Sequence, residues 1–167
     1  MWYPLTFVIA CLLLALTSGR VRWVATLLRM LIAIAFLQAV GDRFGFFGGP
    51  GTPGVSWGDF AHFIAYTGVV NSFLPHAVIP TLAVLATIAE ITCGLTMLLG
   101  ISIRYAAIGS AILLFAFATA MTISRLSQFS YGVYLMCAGA LALATIDTSL
   151  LSVDALINSR KQRSVNA

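Results

Sequence analysis

Five apolar runs separated by short polar stretches make up most of the chain. They are Trp2–Thr17, Trp23–Gly41, Ala77–Gly100, Ile103–Ser124 and Tyr131–Thr145. A helix needs about 20 apolar residues to cross a bilayer. Only helices and closed barrels satisfy their backbone groups inside hydrocarbon. These runs are continuous and lack the period-two alternation of barrel strands, so the pattern predicts an all-α, polytopic bundle of transmembrane helices. Trp2–Thr17 has no Lys or Arg ahead of it, and its end, Ala15-Leu16-Thr17-Ser18-Gly19, is a poor cleavage site. It reads as a short N-terminal membrane helix, with a signal-like segment as the alternative. The expected organisation is residues 1–17 as that helix, 21–154 as the membrane domain, with a loop over 42–76, and 155–167 as a polar tail.

The loop opens Gly41-Asp42-Arg43-Phe44-Gly45-Phe46-Phe47-Gly48-Gly49-Pro50-Gly51-Thr52-Pro53-Gly54. Gly and Pro fill more than half of it, so no regular element is expected there. Phe44, Phe46 and Phe47 suit the headgroup level. A short helix is expected next, with Ser56 as N-cap and Asp59 near the positive end of the dipole. Trp57, Phe60, Ala61 and Ile64 share one helical face, and Asp59, His62 and Tyr66 another. That arrangement predicts a helix lying in the membrane interface. Pro75 ends the region, and Pro80 falls in the first turn of the next span, where proline is tolerated.

Charge sharpens this picture. Nine Lys or Arg and five Asp or Glu make only 8% of the chain, against 60% apolar residues. Soluble domains carry about a quarter charged residues, so a water-soluble monomer and a disordered chain are both excluded. Arg20, Arg22, Arg104, Arg160, Lys161 and Arg163 fall on one side of the membrane, and only Arg43 and Arg125 on the other. The positive-inside rule then puts the six in the cytoplasm. The protein is expected in a bacterial-type inner membrane, with its N-terminus and the 42–76 loop outside and its C-terminus inside. The net charge of +4 comes from isolated cations at run ends, which gives no nucleic-acid surface. Cys11, Cys93 and Cys137 form no metal-ligand spacing, and Gly48-Gly49-Pro50-Gly51 is no phosphate loop. Gly94, Gly109, Ser110 and Gly139 are placed to let helices approach closely.

Two groups of polar residues need a reason to be where they are. Glu90 lies well inside Ala77–Gly100, where a carboxylate facing lipid costs about 2.5–3.5 kcal/mol. Arg29 interrupts the second run. Counted from Val21 and Gly100 at the same membrane side, Arg29 lies about 12 Å deep and Glu90 about 15 Å deep. The matching depths predict an Arg29–Glu90 ion pair, either a packing device or a buried acid in a proton or quinol path. At the outer rim, Asp42, Arg43, Trp57, Asp59, His62, Tyr66 and His76 are candidates for substrate or partner binding. No metal site is expected among them.

Three stretches resemble the DoxX family of integral membrane proteins in its broad sense, including DoxD-like proteins. The first runs from Arg29 to Phe36 and on to Gly41-Asp42-Arg43-Phe44. The second is Ala89-Glu90-Ile91-Thr92-Cys93-Gly94 through Gly100, followed by Arg104-Tyr105-Ala106-Ala107. It is similar to the family's A-E-x-x-x-G-x-x-x-x-x-G…R-x-A-A pattern. The third is Asp147…Ser152-Val153-Asp154, like the family's closing S-[LV]-D. The resemblance implies a four-helix membrane core, to which Trp2–Thr17 adds a helix. It also implies a place in membrane redox systems, since DoxD-like members are subunits of thiosulfate:quinone oxidoreductase and other relatives associate with thiol or oxidative-stress enzymes. The functional expectation is a small subunit of a quinone-linked redox system, with Glu90 and Arg29 at the quinol headgroup. Quinone is the one cofactor it leaves open. A scaffold anchoring a partner enzyme and a small-molecule carrier are the alternatives. The bilayer is the expected partner, with a redox enzyme and self-association left open.

Overall fold

The computed structural model describes residue 13, residues 22–146 and residues 152–153. The expected Trp2–Thr17 helix, Leu13 apart, and the 155–167 tail lie outside the described residues. The elements are α1 (Arg22–Arg43), α2 (Phe60–Val70), a 3-10 turn (His76–Val78), α3 (Ile79–Leu99), α4 (Ile103–Ile123) and α5 (Ser127–Thr145), with no strand among the described residues. Pro80 sits in the first turn of α3. At the other end of α3, Gly100 takes the left-handed conformation (φ 69°), and the Ile101 N–H closes on the Thr96 carbonyl at 2.9 Å. That is the glycine-terminated helix end. α1 runs two residues beyond the expected Gly41, because Asp42 and Arg43 find buried partners and need not leave the helix.

α1 packs on α3 and α5, and α4 packs on the same two helices, so the four long helices close a ring. Its core is small and aliphatic: Ala25, Leu28, Ile32 and Phe36 of α1, Met97 of α3, Ala107, Ala111 and Leu114 of α4, and Cys137, Ala140 and Leu143 of α5. Small residues set the spacing. A Cβ on Gly94 would lie 3.1 Å from Leu37, one on Gly109 3.6 Å from the Cys93 sulfur, and one on Gly139 3.5 Å from Leu28. Ser110 is fully buried and donates to the Met97 sulfur at 3.0 Å.

The outside of the ring is apolar. Leu27, Leu31 and Ile34 of α1, Leu85 and Ile88 of α3, and Ile112 and Phe115 of α4 are exposed, while Arg29, Thr87 and Glu90 are buried. An apolar exterior, with the charged side chains of Arg29, Arg43 and Glu90 turned inward, suits lipid as the surrounding solvent. Trp23–Arg43, His76–Leu99 and Ile103–Ile123 are each long and apolar enough to cross a membrane, and Ser130–Thr145 is a shorter apolar helix. The chain is thus built as a membrane protein, with three full-length spans among the described residues.

The register of α1 on α3 decides where the charges go. Phe36 faces Gly94, whose Cβ would lie 3.4 Å from the Phe36 Cβ. Seven residues further along α1 and seven back along α3, Arg43 faces Thr87. At the other end of α1, seven residues before Phe36, the Arg29 guanidinium occupies the space where a Gly100 side chain would be. Arg43 is therefore level with Thr87, which lies eight residues along α3 from Ile79, or about 12 Å inside the end of α3. By the same offset the start of α1 projects past Gly100.

Enlarging Gly94 would push α1 off this register. Gly94→Leu is expected to destabilise the fold by about 1–3 kcal/mol, read as a lower thermal midpoint in detergent, while Leu at the exposed Thr92 position leaves the midpoint near its original value.

Candidate functional site: the Arg43–Glu90 pair and its aromatic cover

Helical side chains lean toward the N-terminus of their own helix. α1 and α3 are antiparallel, so Arg43 leans back into the ring while Glu90 leans toward the loop end, and the two meet. Arg43 Nη2 donates to Glu90 Oε1 at 2.8 Å and stands 2.6 Å from Oε2, with both side chains 3% exposed. Arg43 Nη1 donates to the Thr87 hydroxyl at 2.9 Å, and that hydroxyl donates in turn to the Ala83 carbonyl. No N–H points along the line to Oε2, which stays without a hydrogen bond, as does Arg43 Nε.

The expected Arg29–Glu90 pair is not formed. The depth argument assumed that the second and third runs start level at one membrane face, and the slide of α1 along α3 removes that assumption. Arg29 lies instead at the far end of α3. It is fully buried, and its Nη1 donates to the Met97 carbonyl at 3.0 Å. A cation beside the last carbonyls of a helix is favourably placed against the dipole. Ser152, also buried, packs on the same Gly100. Arg29, Gly100 and Ser152 thus meet at one end, and Asp42, Arg43 and Glu90 gather toward the other.

The loop covers the Arg43–Glu90 pair. The Phe63 ring centroid lies 3.6 Å from the Arg43 guanidinium carbon and the Trp57 ring 5.2 Å from it. Trp57 packs edge-on to Phe63 at 5.2 Å and tilts against Tyr66 at 5.6 Å, while Phe44 stacks on Phe60 at 6.0 Å. A guanidinium over aromatic faces gains a cation–π attraction that strengthens where water is excluded. Burial also pushes the Tyr66 hydroxyl above its ordinary range.

Asp42 shapes the cover. Its buried carboxylate accepts backbone N–H groups from Ser56 at 2.9 Å, Trp57 at 3.3 Å and Gly58 at 3.4 Å. That use of the backbone overturns the expected helix start. Ser56 to Gly58 wrap around Asp42, and Gly58 takes a positive φ of 74° that a helix cannot hold, with no room for a Cβ against the Gly49–Pro50 backbone. α2 starts at Phe60, with Asp59 as its cap accepting the His62 N–H at 2.8 Å. Its inward face is Phe63, Thr67 and Val70, not the Trp57, Phe60, Ala61 and Ile64 face expected from a start at Ser56, and Ala61 is exposed. α2 runs from Phe44 near the end of α1 to the end of α4, where Ser124 donates to the Val70 carbonyl.

The rim candidates therefore divide. Arg43, Glu90, Trp57 and Tyr66 come together, with Asp42 beside them facing the loop. Asp59 and His62 form an exposed pair at 2.9 Å on the outer side of α2. His76 is exposed in the 3-10 turn. The Asp59, His62 and His76 side chains share no described contact with the Arg43–Glu90 pair, and Asp59 reaches the site only through its carbonyl, which accepts the Phe63 N–H at 3.3 Å. Thr87 and Phe63 belong to the site and were missed. The i−3 spacing of Thr87 from Glu90 was a usable signal for the first, whereas Phe63 is only one of many loop aromatics. Comparison with family models, with characterised proteins and with solved structures returns no match for this chain.

Removing one partner of a buried ion pair strands the other. Arg43→Ala is expected to destabilise the protein by about 3–5 kcal/mol, and the Arg43→Met/Glu90→Leu double substitution to recover most of that, as read from thermal unfolding in detergent. The outer pair behaves differently. The His62 N–H and ring hold the Asp59 carboxyl below its ordinary range. The cap is therefore complete above about pH 4 and is lost as pH falls through that lowered value. Asp59→Ala should speed amide hydrogen exchange in the first turn of α2 at neutral pH, and Asp59→Asn, which still caps but does not titrate, should not.

Proposed function

We propose that the chain is a DoxX-like integral membrane protein acting as a small subunit of a quinone-linked membrane redox system of the sulfur, thiol or oxidative-stress type. In this reading it lies in a bacterial-type inner membrane, with its N-terminus and the aromatic loop outside and its C-terminus in the cytoplasm. The observation that carries the reading is the buried Arg43–Glu90 pair, in which Oε2 has no aligned donor. Such an oxygen, in a site lined by Trp57, Phe63 and Thr87, offers an acceptor for the proton of a quinol hydroxyl. Arg43 offsets the charge there, and the aromatic cover suits a flat apolar ring. The resemblance is supported by where its motif residues fall. Residues from all three stretches meet around Gly100, and residues from the first two meet at Glu90. In this reading Arg29 holds the far end of α3 through the Met97 carbonyl.

A second reading, a membrane scaffold for a partner enzyme, is favoured by the outward face of α2, where Ala61, Ala65 and Val69 are exposed together. Replacing all three with Ser would release such a partner from native membranes without touching the buried pair.

Glu90→Gln decides for the first reading. Quinone-linked oxidation should be lost in membranes holding the variant at the original level, at a temperature below its lowered thermal midpoint. The midpoint falls because the new amide still packs against Arg43 but leaves that charge unpaired. Unchanged activity would remove the redox assignment.

A further inference from the structure

The cover of the Arg43–Glu90 pair is held differently at its two ends. At the far end, residues 71–75 join α2 to the 3-10 turn with no slack. The Leu74 N–H closes on the Asn71 carbonyl and the Val78 N–H on the Pro75 carbonyl. Ser124 of α4 donates to the Val70 carbonyl, and the Ser72 hydroxyl lies 3.2 Å from the Ser124 hydroxyl. Thr67 and Val70 are buried there.

The near end is loose. Backbone hydrogen bonds inside the loop that follows α1 are local turns, none reaching further than Phe46 to Gly41. A Cβ on Gly49, Gly51 or Gly54 would meet nothing within 4 Å, and residues 49–54 are all exposed. That tip is slack chain, and its non-helical backbone needs water for its polar groups. Among the described residues, the loop's long-range hydrogen bonds all go to Asp42, from Ser56 at 2.9 Å, Trp57 at 3.3 Å and Gly58 at 3.4 Å. The last two are long for N–H···O bonds. Releasing them to water exchanges one partner for another, so the net cost is much smaller than the bonds themselves.

What lies beneath is shut. Both side chains of the pair are 3% exposed, and Glu90 Oε2 and Arg43 Nε lack hydrogen-bond partners. One turn further along α3, the seam between α1 and α3 is closed by Phe36 and Leu37 against Gly94. On the loop side only the Trp57 and Phe63 rings stand over the guanidinium. We propose that residues 56–70 are a lid on the pair, hinged at residues 71–75 and latched by Asp42. Opening draws out the slack tip, lifts Trp57 and Phe63 from Arg43, and admits a ligand to Arg43 and Glu90 from the loop side. Asp42 is thus a positioning residue that acts through Trp57. The proposal concerns the way in and does not rest on the quinone assignment.

A thiol under the lid tests it. Thr87→Cys in a Cys11→Ala/Cys93→Ala/Cys137→Ala chain is placed in nanodiscs, where both faces of the bilayer meet the buffer. The anionic reagent 2-sulfonatoethyl methanethiosulfonate should modify it slowly. Adding Asp42→Asn, which keeps the shape but weakens the acceptor, should raise the rate by roughly tenfold. Adding Ser124→Ala at the hinge should leave it near its original value. In the otherwise unaltered chain, Asp42→Asn should speed amide hydrogen exchange at Ser56, Trp57 and Gly58 and leave α3 unchanged. Equal modification rates with and without Asp42→Asn would overturn the proposal. So would an equal rise with Ser124→Ala, which puts the latch at the wrong end, or faster exchange along α3, which marks unfolding instead of a lid.

Discussion

A carboxylate taken out of water must be neutralised within the reach of its own side chain, and that requirement organises this protein. Glu90 is buried in α3, and Arg43 meets it from the end of α1. The arginine must lie along its helix at the point where backward-leaning and forward-leaning side chains converge, so the pair fixes how far α1 slides along α3. The slide fixes the rest. Arg29 falls at the far end of α3 against the Met97 carbonyl. α1 stops short of the start of α3, and the following loop must cover two charges on its way to α2. Replacing the pair by apolar side chains of similar volume would relax this constraint at little loss of stability, so the pair contributes register more than stability.

The neighbouring Asp42 carries the constraint into the loop. One residue before Arg43, it faces outward from the ring and gathers three backbone N–H groups from Ser56, Trp57 and Gly58. A stretch rich in Gly and Pro has no ladder of its own to satisfy those donors. A carboxylate accepting several backbone N–H groups is a strong, charge-assisted substitute. Trp57 is thereby delivered over the guanidinium that Arg43 turns toward it, and Phe63 follows one helical turn into α2. Two adjacent residues at a helix end, one basic and one acidic, thus hold the buried site and its cover together.

The sequence made the helical class, the four long helices and the small residues between them legible, because apolar runs and glycines in lipid have few other uses. Register was not legible. Counting residues from polar ends measures depth only if the spans start level, and nothing in Val21 or Gly100 says that they do not. The start of α2 was misread for a similar reason. Ser56 is a good cap in isolation, but its N–H, with those of Trp57 and Gly58, was claimed by a carboxylate 14 residues earlier. Asp42 and Arg43 read as neighbours in one outer rim, whereas their side chains part, one into the loop and one into the ring. In each case a long-range partner outweighed a local preference.

Glu90 is the only glutamate in the chain, so its side-chain carboxyl carbon gives a single assignable signal. Solid-state NMR recoupling between that carbon and arginine guanidinium nitrogens, in a lipid-reconstituted sample, tests the central claim directly. A short-range cross-peak is predicted that disappears in Arg43→Lys and persists in Arg29→Lys. A cross-peak that survives Arg43→Lys and is lost with Arg29→Lys would contradict the register on which the account rests.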